Sequence, residues 1–393
     1  MNRYVKISFF LLTLCLGCTA CQKPEWRIDG HLEGDVDGNY VFLQYADTSR
    51  TLIDSALISG KTFSLKGKSE GIRLANLSVG KAYTQPKGRI KLPVFLETGV
   101  IRLQANYDSI QSSRRIFDHY RLSGTPSNRI FAEYMENSNR FDREDRQIFA
   151  EYGNYLGNKP QDYSRAYFEK GIELTRKMDS MNRERITYTH CFLKNHRNSE
   201  AAFYLLTQVL SSLTVSQIDS MRAVFPNPVK QSPIGRVVEQ EAELFRNTAE
   251  GAMYIDFPLM TPEGEKKNLS DFIGKGNYIL LECWASWCGP CKKDIPHVKE
   301  VLKKYGPYGF GVLGISMDTQ AEAWKKAIRE HHITWPQLSN LKGFAGPLTR
   351  TYRIRGIPTC ILIDPEGRIV MRNARGSWLD RWLIDRFGDL FDK

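Results

Sequence analysis

One junction constrains this chain more than any other. The apolar run Tyr278-Ile279-Leu280-Leu281-Glu282-Cys283-Trp284-Ala285 leads directly into Ser286-Trp287-Cys288-Gly289-Pro290-Cys291. A nearly continuous apolar run of that length reads as a central strand, buried on both faces. The segment from Cys288 onward reads as a helix start, because Pro290 falls in a first turn, where its missing N–H costs nothing. A helix places residues three apart on one face, so the two sulfurs can meet and close a disulfide. Cys288 stands at the helix N-terminus, where free N–H groups and the macrodipole favour a thiolate. The thiolate is the attacking species in thiol–disulfide exchange. A lone CxxC is also half of a zinc site. No second CxxC or CxxH occurs, and His297, His331 and His332 lack the pairing. Neither a metal nor a cofactor is expected.

The surroundings suit such a strand. Over 250–393, extended and helical patterns alternate: strands at 278–285 and 310–316, helices at 288–305 and 320–331, a hairpin over 359–372, and an amphipathic helix over 378–391. Pro296 lies inside the first of these helices and predicts a kink. The rest differs in character. Residues 24–125 show short alternating runs with turn signals between them, as in an antiparallel sandwich or barrel. Over 126–247 the apolar spacing becomes helical, as in Ile130, Phe131, Tyr134 and Met135. Four or five helices are expected, with Asn198-Ser199-Glu200-Ala201-Ala202 and the Thr214…Gln217 capping box as starts and Phe225-Pro226-Asn227-Pro228 as a break. At 393 residues, two or three domains are expected. The fold class is therefore multidomain, with an antiparallel β domain (22–125), a helical middle region (126–249) and an α/β domain (250–393).

Residues 1–21 read as a targeting signal. Arg3 and Lys6 precede an apolar core too short to span a membrane. The core ends in Thr19-Ala20-Cys21, a small-small-Cys pattern resembling the bacterial lipobox, with Gly17-Cys18 as its competitor. Lipidation is thus expected at Cys21, tethering the protein to a lipid bilayer. The mature chain then keeps Cys191, Cys283, Cys288, Cys291 and Cys360. So few cysteines make no disulfide framework, and in an exported protein they point to redox chemistry. The net charge of +11 is spread along the chain and forms no basic arm. Nucleic acid is not an expected partner.

The motifs also carry a family resemblance. Leu281-Glu282-Cys283-Trp284-Ala285-Ser286-Trp287-Cys288-Gly289-Pro290-Cys291, then Pro296, then Arg355-Gly356-Ile357-Pro358-Thr359, resemble the TlpA/ResA-like, redoxin-type branch of the thioredoxin fold. Asp256-Phe257 through Gly274-Lys275 resembles that branch's entry segment. Residues 24–125 resemble, more loosely, a domain of unknown function found before such redoxin domains in envelope lipoproteins. The resemblance implies that Cys288 attacks and Cys291 resolves, the two forming the redox-active disulfide. It implies a carboxylate at Glu282 beneath the pair, taking the proton from Cys291. It implies a cis-proline at Pro358 facing the dithiol, with Ile357 backbone groups free to pair with an extended substrate. Trp287, Gly289 and Pro290 complete the implied substrate surface. Asp294, where this branch often carries Glu, either tunes the thiols or faces solvent.

The implied activity is thiol–disulfide exchange. Gly289-Pro290 between the cysteines resembles reducing thioredoxins, near ~−270 mV, rather than oxidants near ~−120 mV. The expected partners are disulfide-containing envelope proteins and a membrane electron donor for re-reduction. The expected location is the envelope of a Gram-negative-type bacterium, lipid-anchored and facing the periplasm or on the outer membrane. Two other classes compete. A redoxin-type thiol peroxidase wants a Thr three residues before its cysteine, where Ala285 stands, and a Pro seven before it, where Leu281 stands. An envelope binding protein with accessory redox activity would place its site in the first 250 residues, where no motif is recognisable.

Overall fold

Alternation builds the first layer. In β1 (Glu25–Glu33) every second residue turns inward, Trp26, Ile28 and Leu32 among them, as a strand with one wet face requires. The structure, a computed structural model, describes residues 25–46, 51–81, 91–112, 119–157 and 165–390. The signal segment 1–21, with Cys21, lies outside the described residues.

β2 (Tyr40–Tyr45), β3 (Leu52–Leu57), β4 (Thr62–Lys68), β5 (Arg73–Gly80), β6 (Leu92–Leu96) and β7 (Gly99–Asn106) come next. A short helix, α1 (Tyr107–Ser112), precedes β8 (Tyr120–Ser123). Two four-stranded sheets result, ordered β4-β1-β7-β8 and β3-β2-β5-β6. Pairing is antiparallel except between β1 and β7.

The chain then turns helical: α2 (Pro126–Gly157), α3 (Arg165–Asn195), α4 (Glu200–Leu205), α5 (Val215–Ala223), α6 (Asn227–Gln231) and α7 (Pro233–Arg246). Among the described residues, six α-helices stand where four or five were expected, because Pro226 and Pro233 divide the last stretch into short pieces. Ser199 caps α4, and Thr214 with Gln217 closes the capping box of α5. Asn128 of α2 continues the edge of β6. Its amide donates to Phe95 O at 2.7 Å and accepts from Phe95 N–H at 3.0 Å. One apolar cluster joins sandwich and helices, taking Ile28, Leu43, Phe95 and Leu103 from the strands and Phe131, Phe203 and Val238 from the helices.

The remaining residues form the α/β unit. Its elements are β9 (Pro258–Met260), β10 (Lys266–Asn268), β11 (Tyr278–Trp284), α8 (Gly289–Tyr305), β12 (Phe310–Ser316), α9 (Ala321–Glu330), β13 (Gln337–Ser339), α10 (Pro347–Thr351), β14 (Thr359–Ile363), β15 (Ile369–Arg372) and α11 (Ser377–Phe387). They make a seven-stranded sheet ordered β10-β9-β13-β12-β11-β14-β15. β11 lies inside it, parallel to β12 and antiparallel to β14. Each face of β11 feeds a different core: Leu281 and Cys283 one, Leu280 the other. That two-sided burial explains the unbroken apolar run in the sequence. Pro296 lies inside α8 with its ring exposed. The multidomain architecture expected from the sequence is the one observed. Among the described residues, no helix is long and apolar enough to cross a membrane.

Candidate active site

The turn between β11 and α8 is held by Asp318. The Ser286 N–H and hydroxyl both donate to its carboxylate, at 2.9 and 2.6 Å. Ser316 donates to the same group at 2.8 Å, and Met317 N–H donates to Trp284 O at 2.7 Å. Asp318 is only 1% exposed. Hydrogen bonds to a buried carboxylate are among the stronger ones available, so the turn that carries the cysteines has little freedom.

Cys288 is the N-cap of α8. Its sulfur accepts from the Cys291 N–H at 3.2 Å. The two cysteines are joined in a disulfide with Cα atoms 5.3 Å apart. Cys291 is fully buried and Cys288 is 4% exposed, between exposed Trp287, Gly289 and Pro290. Of the two sulfurs, that of Cys288 belongs to the less deeply buried residue. The Trp287 ring, 59% exposed, lies 6.4 Å from that of Phe344.

Glu282 lies on β11, opposite Cys360 of β14, and is only 3% exposed. It does not reach water as a strand-end carboxylate would. Burial, helped by the Asp294 charge, pushes its carboxyl up to about 8, while Trp335 and Arg375 oppose the rise. Asp294 had two readings, and the solvent-facing one fails. Its side chain is 15% exposed and forms an ion pair with Arg375. Cys283 and Cys360 flank Glu282 and are buried. Desolvation, then the Glu282 charge, pushes Cys283 up to about 12 and Cys360 well above its ordinary value. Neither is poised as a nucleophile.

The loop entering β14 completes the constellation. The Ile357–Pro358 peptide bond is cis, and Thr359 Oγ1 donates to Gly356 O at 2.7 Å. Thr359 pairs with Cys283 across the sheet, which puts Pro358 at the end of β11 from which Cys288 departs. Ile357 packs on the apolar cluster that holds both cysteines. Cys288, Cys291, Glu282, Trp287, Gly289, Pro290, Ile357 and Pro358 thus gather at one end of the sheet. Asp318, Arg375 and Phe344 escaped the sequence reading. Asp318 had a signal, being an acid at the end of a buried strand; Arg375 had none. Among the described residues, no group of three or more His, Cys, Asp or Glu is placed to hold a metal ion.

Comparison with known proteins matches residues 251–372 to the AhpC/TSA family and residues 26–131 to a domain of unknown function, DUF4369. The thiol-disulfide oxidoreductase ResA of Bacillus thuringiensis subsp. konkukian is 32% identical over 115 residues, 29% of this chain and 64% of that protein. The chain thus spans less than two thirds of the ResA relative's length. The thioredoxin-like protein YneN of Bacillus subtilis is 33% identical over 124 residues, 30% of this chain and 68% of that protein. Among solved structures, the thioredoxin domain of a thiol-disulfide oxidoreductase from Bacteroides vulgatus is 31% identical, covering 36% of this chain and 99% of that one, with a TM-score of 0.33. A thiol-disulfide oxidoreductase from Bacteroides fragilis is 33% identical over 34% of this chain and 99% of that one, also at 0.33. Through residues 251–372 the chain belongs with the thioredoxin-like proteins, and it is similar there to the ResA thiol-disulfide oxidoreductases.

Proposed function

We propose that the protein is a membrane-anchored dithiol reductant of envelope proteins. The disulfide at the α8 N-terminus supports this reading, with Cys288 as the N-cap residue and a buried carboxyl, Glu282, on the strand that leads into it. In the reduced protein the Cys288 thiolate attacks one sulfur of a substrate disulfide. The substrate S–S bond breaks, its other sulfur leaves as a thiolate, and a mixed disulfide forms through Cys288. Cys291 then gives its proton to Glu282 and attacks the Cys288 sulfur. The second substrate sulfur leaves, the Cys288–Cys291 bond closes, and two electrons have passed to the substrate. Cys288 favours the thiolate because the Cys291 N–H and the α8 dipole face it.

The finer parts of the reading rest on sequence. Ile357 and Pro358, with Trp287, Gly289 and Pro290, form the surface against which an extended substrate lies, its backbone pairing with Ile357. Cys21 carries the lipid anchor, and residues 22–125, 126–249 and 250–393 are the successive domains after a signal at 1–21. The protein works in the cell envelope, in a periplasm-facing or outer-membrane position, and a membrane electron donor re-reduces it. A peroxidase reading has only the breadth of the AhpC/TSA family behind it. The hydroxyl nearest in sequence to Cys288, that of Ser286, is committed to Asp318.

Reduction of insulin disulfides tests the function. Wild-type protein with a chemical reductant should turn insulin over, and Cys288→Ser should fall to the uncatalysed rate. Undiminished turnover by Cys288→Ser would sink the reading.

A further inference from the structure

The helical hairpin α2–α3 packs on α11 and on the turn that precedes it. α11 begins one residue after Gly376, and the turn before it carries Arg375. That turn is seated on the hairpin. Ser377 N–H donates to the Tyr152 hydroxyl at 3.4 Å, and the Ser377 and Tyr155 hydroxyls lie 3.0 Å apart. Gly171 of α3 faces Ser377, where a Cβ would overlap both the Ser377 hydroxyl and the Tyr155 phenol. A buried glycine inside a long helix weakens that helix, and here it permits the close approach. Two turns further along α3, Asp179 accepts from the Trp378 indole at 3.0 Å and pairs with Arg381. Tyr152, Leu174 and Met178 pack with Trp378 into a small separate core. From the other side of the turn, Arg375 pairs with Asp294 of α8, one helical turn beyond Cys291. Ala374 N–H donates to Cys360 O at 3.1 Å, and Cys360 stands opposite Glu282 in the sheet.

We propose that the α2–α3 hairpin belongs to the redox machinery: by seating the 373–377 turn and α11, it holds Arg375 against Asp294 and makes Arg375 a positioning residue for the Glu282 carboxyl. This rests on the reading of Glu282 as proton acceptor. The charged and titratable groups around Glu282 are Asp294 from α8, Arg375 from the turn, Cys360 from β14 and Cys283 from its own strand. Tyr152 also faces Arg375, and the buried His297–Asp380 pair, 2.6 Å apart, ties α8 to α11. Arg375 is the cation among them that opposes the rise in Glu282. Withdrawing it leaves Asp294 uncompensated and moves the Glu282 proton to higher pH.

The test uses the full chain and monitors the pH dependence of substrate release from a preformed mixed disulfide. Arg375→Gln should move the midpoint of that profile upward by about one pH unit. Gly171→Ala and Asp179→Ala, both on α3 and touching no reacting atom, should move it the same way. Combined with Arg375→Gln, each should add nothing further. Asp179→Asn, which keeps an acceptor for Trp378 but not the charge, should fall between. Thermal unfolding at the pH of assay identifies any variant that does not fold, and the remaining hairpin variant then decides. If both hairpin variants keep the wild-type profile while Arg375→Gln shifts it, the hairpin does not position Arg375. If Arg375→Gln shifts nothing, the pair with Asp294 does not act on Glu282. Wild-type protein that fails to reduce insulin instead overturns the parent reading.

Discussion

Glu282→Gln is expected to stabilise the oxidised protein above neutral pH while crippling its second chemical step. The sign comes from proton binding. An unfolded glutamate gives up its proton near 4.5, whereas the folded one keeps it to about 8. Between those values the unfolded state binds fewer protons, so stability falls as pH rises, and the penalty is complete above about 8. At about 1.4 kcal/mol per pKa unit the penalty is on the order of 4 kcal/mol, reduced by about 1–2 kcal/mol for an amide without full partners. Gln does not titrate. The stability gap between variant and wild type should therefore be small at pH 4, grow through neutrality and level off beyond pH 8. Unfolding midpoints measured in the disulfide form across that range check it. A constant gap would mean that Glu282 is not held protonated.

The same substitution should show itself in kinetics. Release from the mixed disulfide needs ionised Glu282, so its rate in wild type should climb as pH passes about 8. In Glu282→Gln the climb should vanish, with a loss on the order of a hundredfold at the plateau, the lower range for removal of a general base. The first attack, made by Cys288 at the helix start, should stay near wild type.

Cys291→Ser should trap the protein on its substrate. Cys291 is fully buried against Cys288, so its attack is intramolecular and gains an effective concentration far above any free thiol. Without it, the mixed disulfide through Cys288 should persist on the order of a thousandfold longer or more. Non-reducing gels with mapped cross-links report this, and the captured proteins identify the substrates. Cross-links through exposed Cys191 in place of Cys288 would oppose the assignment.

The α/β unit and its dithiol were legible because local sequence dictates them. A strand buried on both faces, a proline in a helix first turn and two cysteines three apart need no tertiary information. The strands of the sandwich were readable for a similar reason, since β1 alternates with its single wet face. Short pieces escaped. β8, β13 and α10 have too few residues to show a period, and their positions come from neighbours: β13 exists as a strand because β12 pairs with it. The shared core of sandwich and helices was also hidden, because no pattern in one segment reports its contacts with another. Arg375 shows the limit most clearly. It lies 81 positions from Asp294, in a turn without a motif, and its place comes from contacts between elements far apart in sequence.

Selective alkylation distinguishes the attacking sulfur from the resolving one. Protein reduced at both cysteines, in a Cys191→Ser background, would be treated with substoichiometric iodoacetamide from pH 5 to 9 and the adducts mapped by mass. Cys288 should be modified first and remain reactive below neutrality, with Cys291 slow throughout, because Cys288 is the less buried of the two and caps the helix N-terminus. Faster modification of Cys291, or no reaction at Cys288 below pH 8, would contradict it.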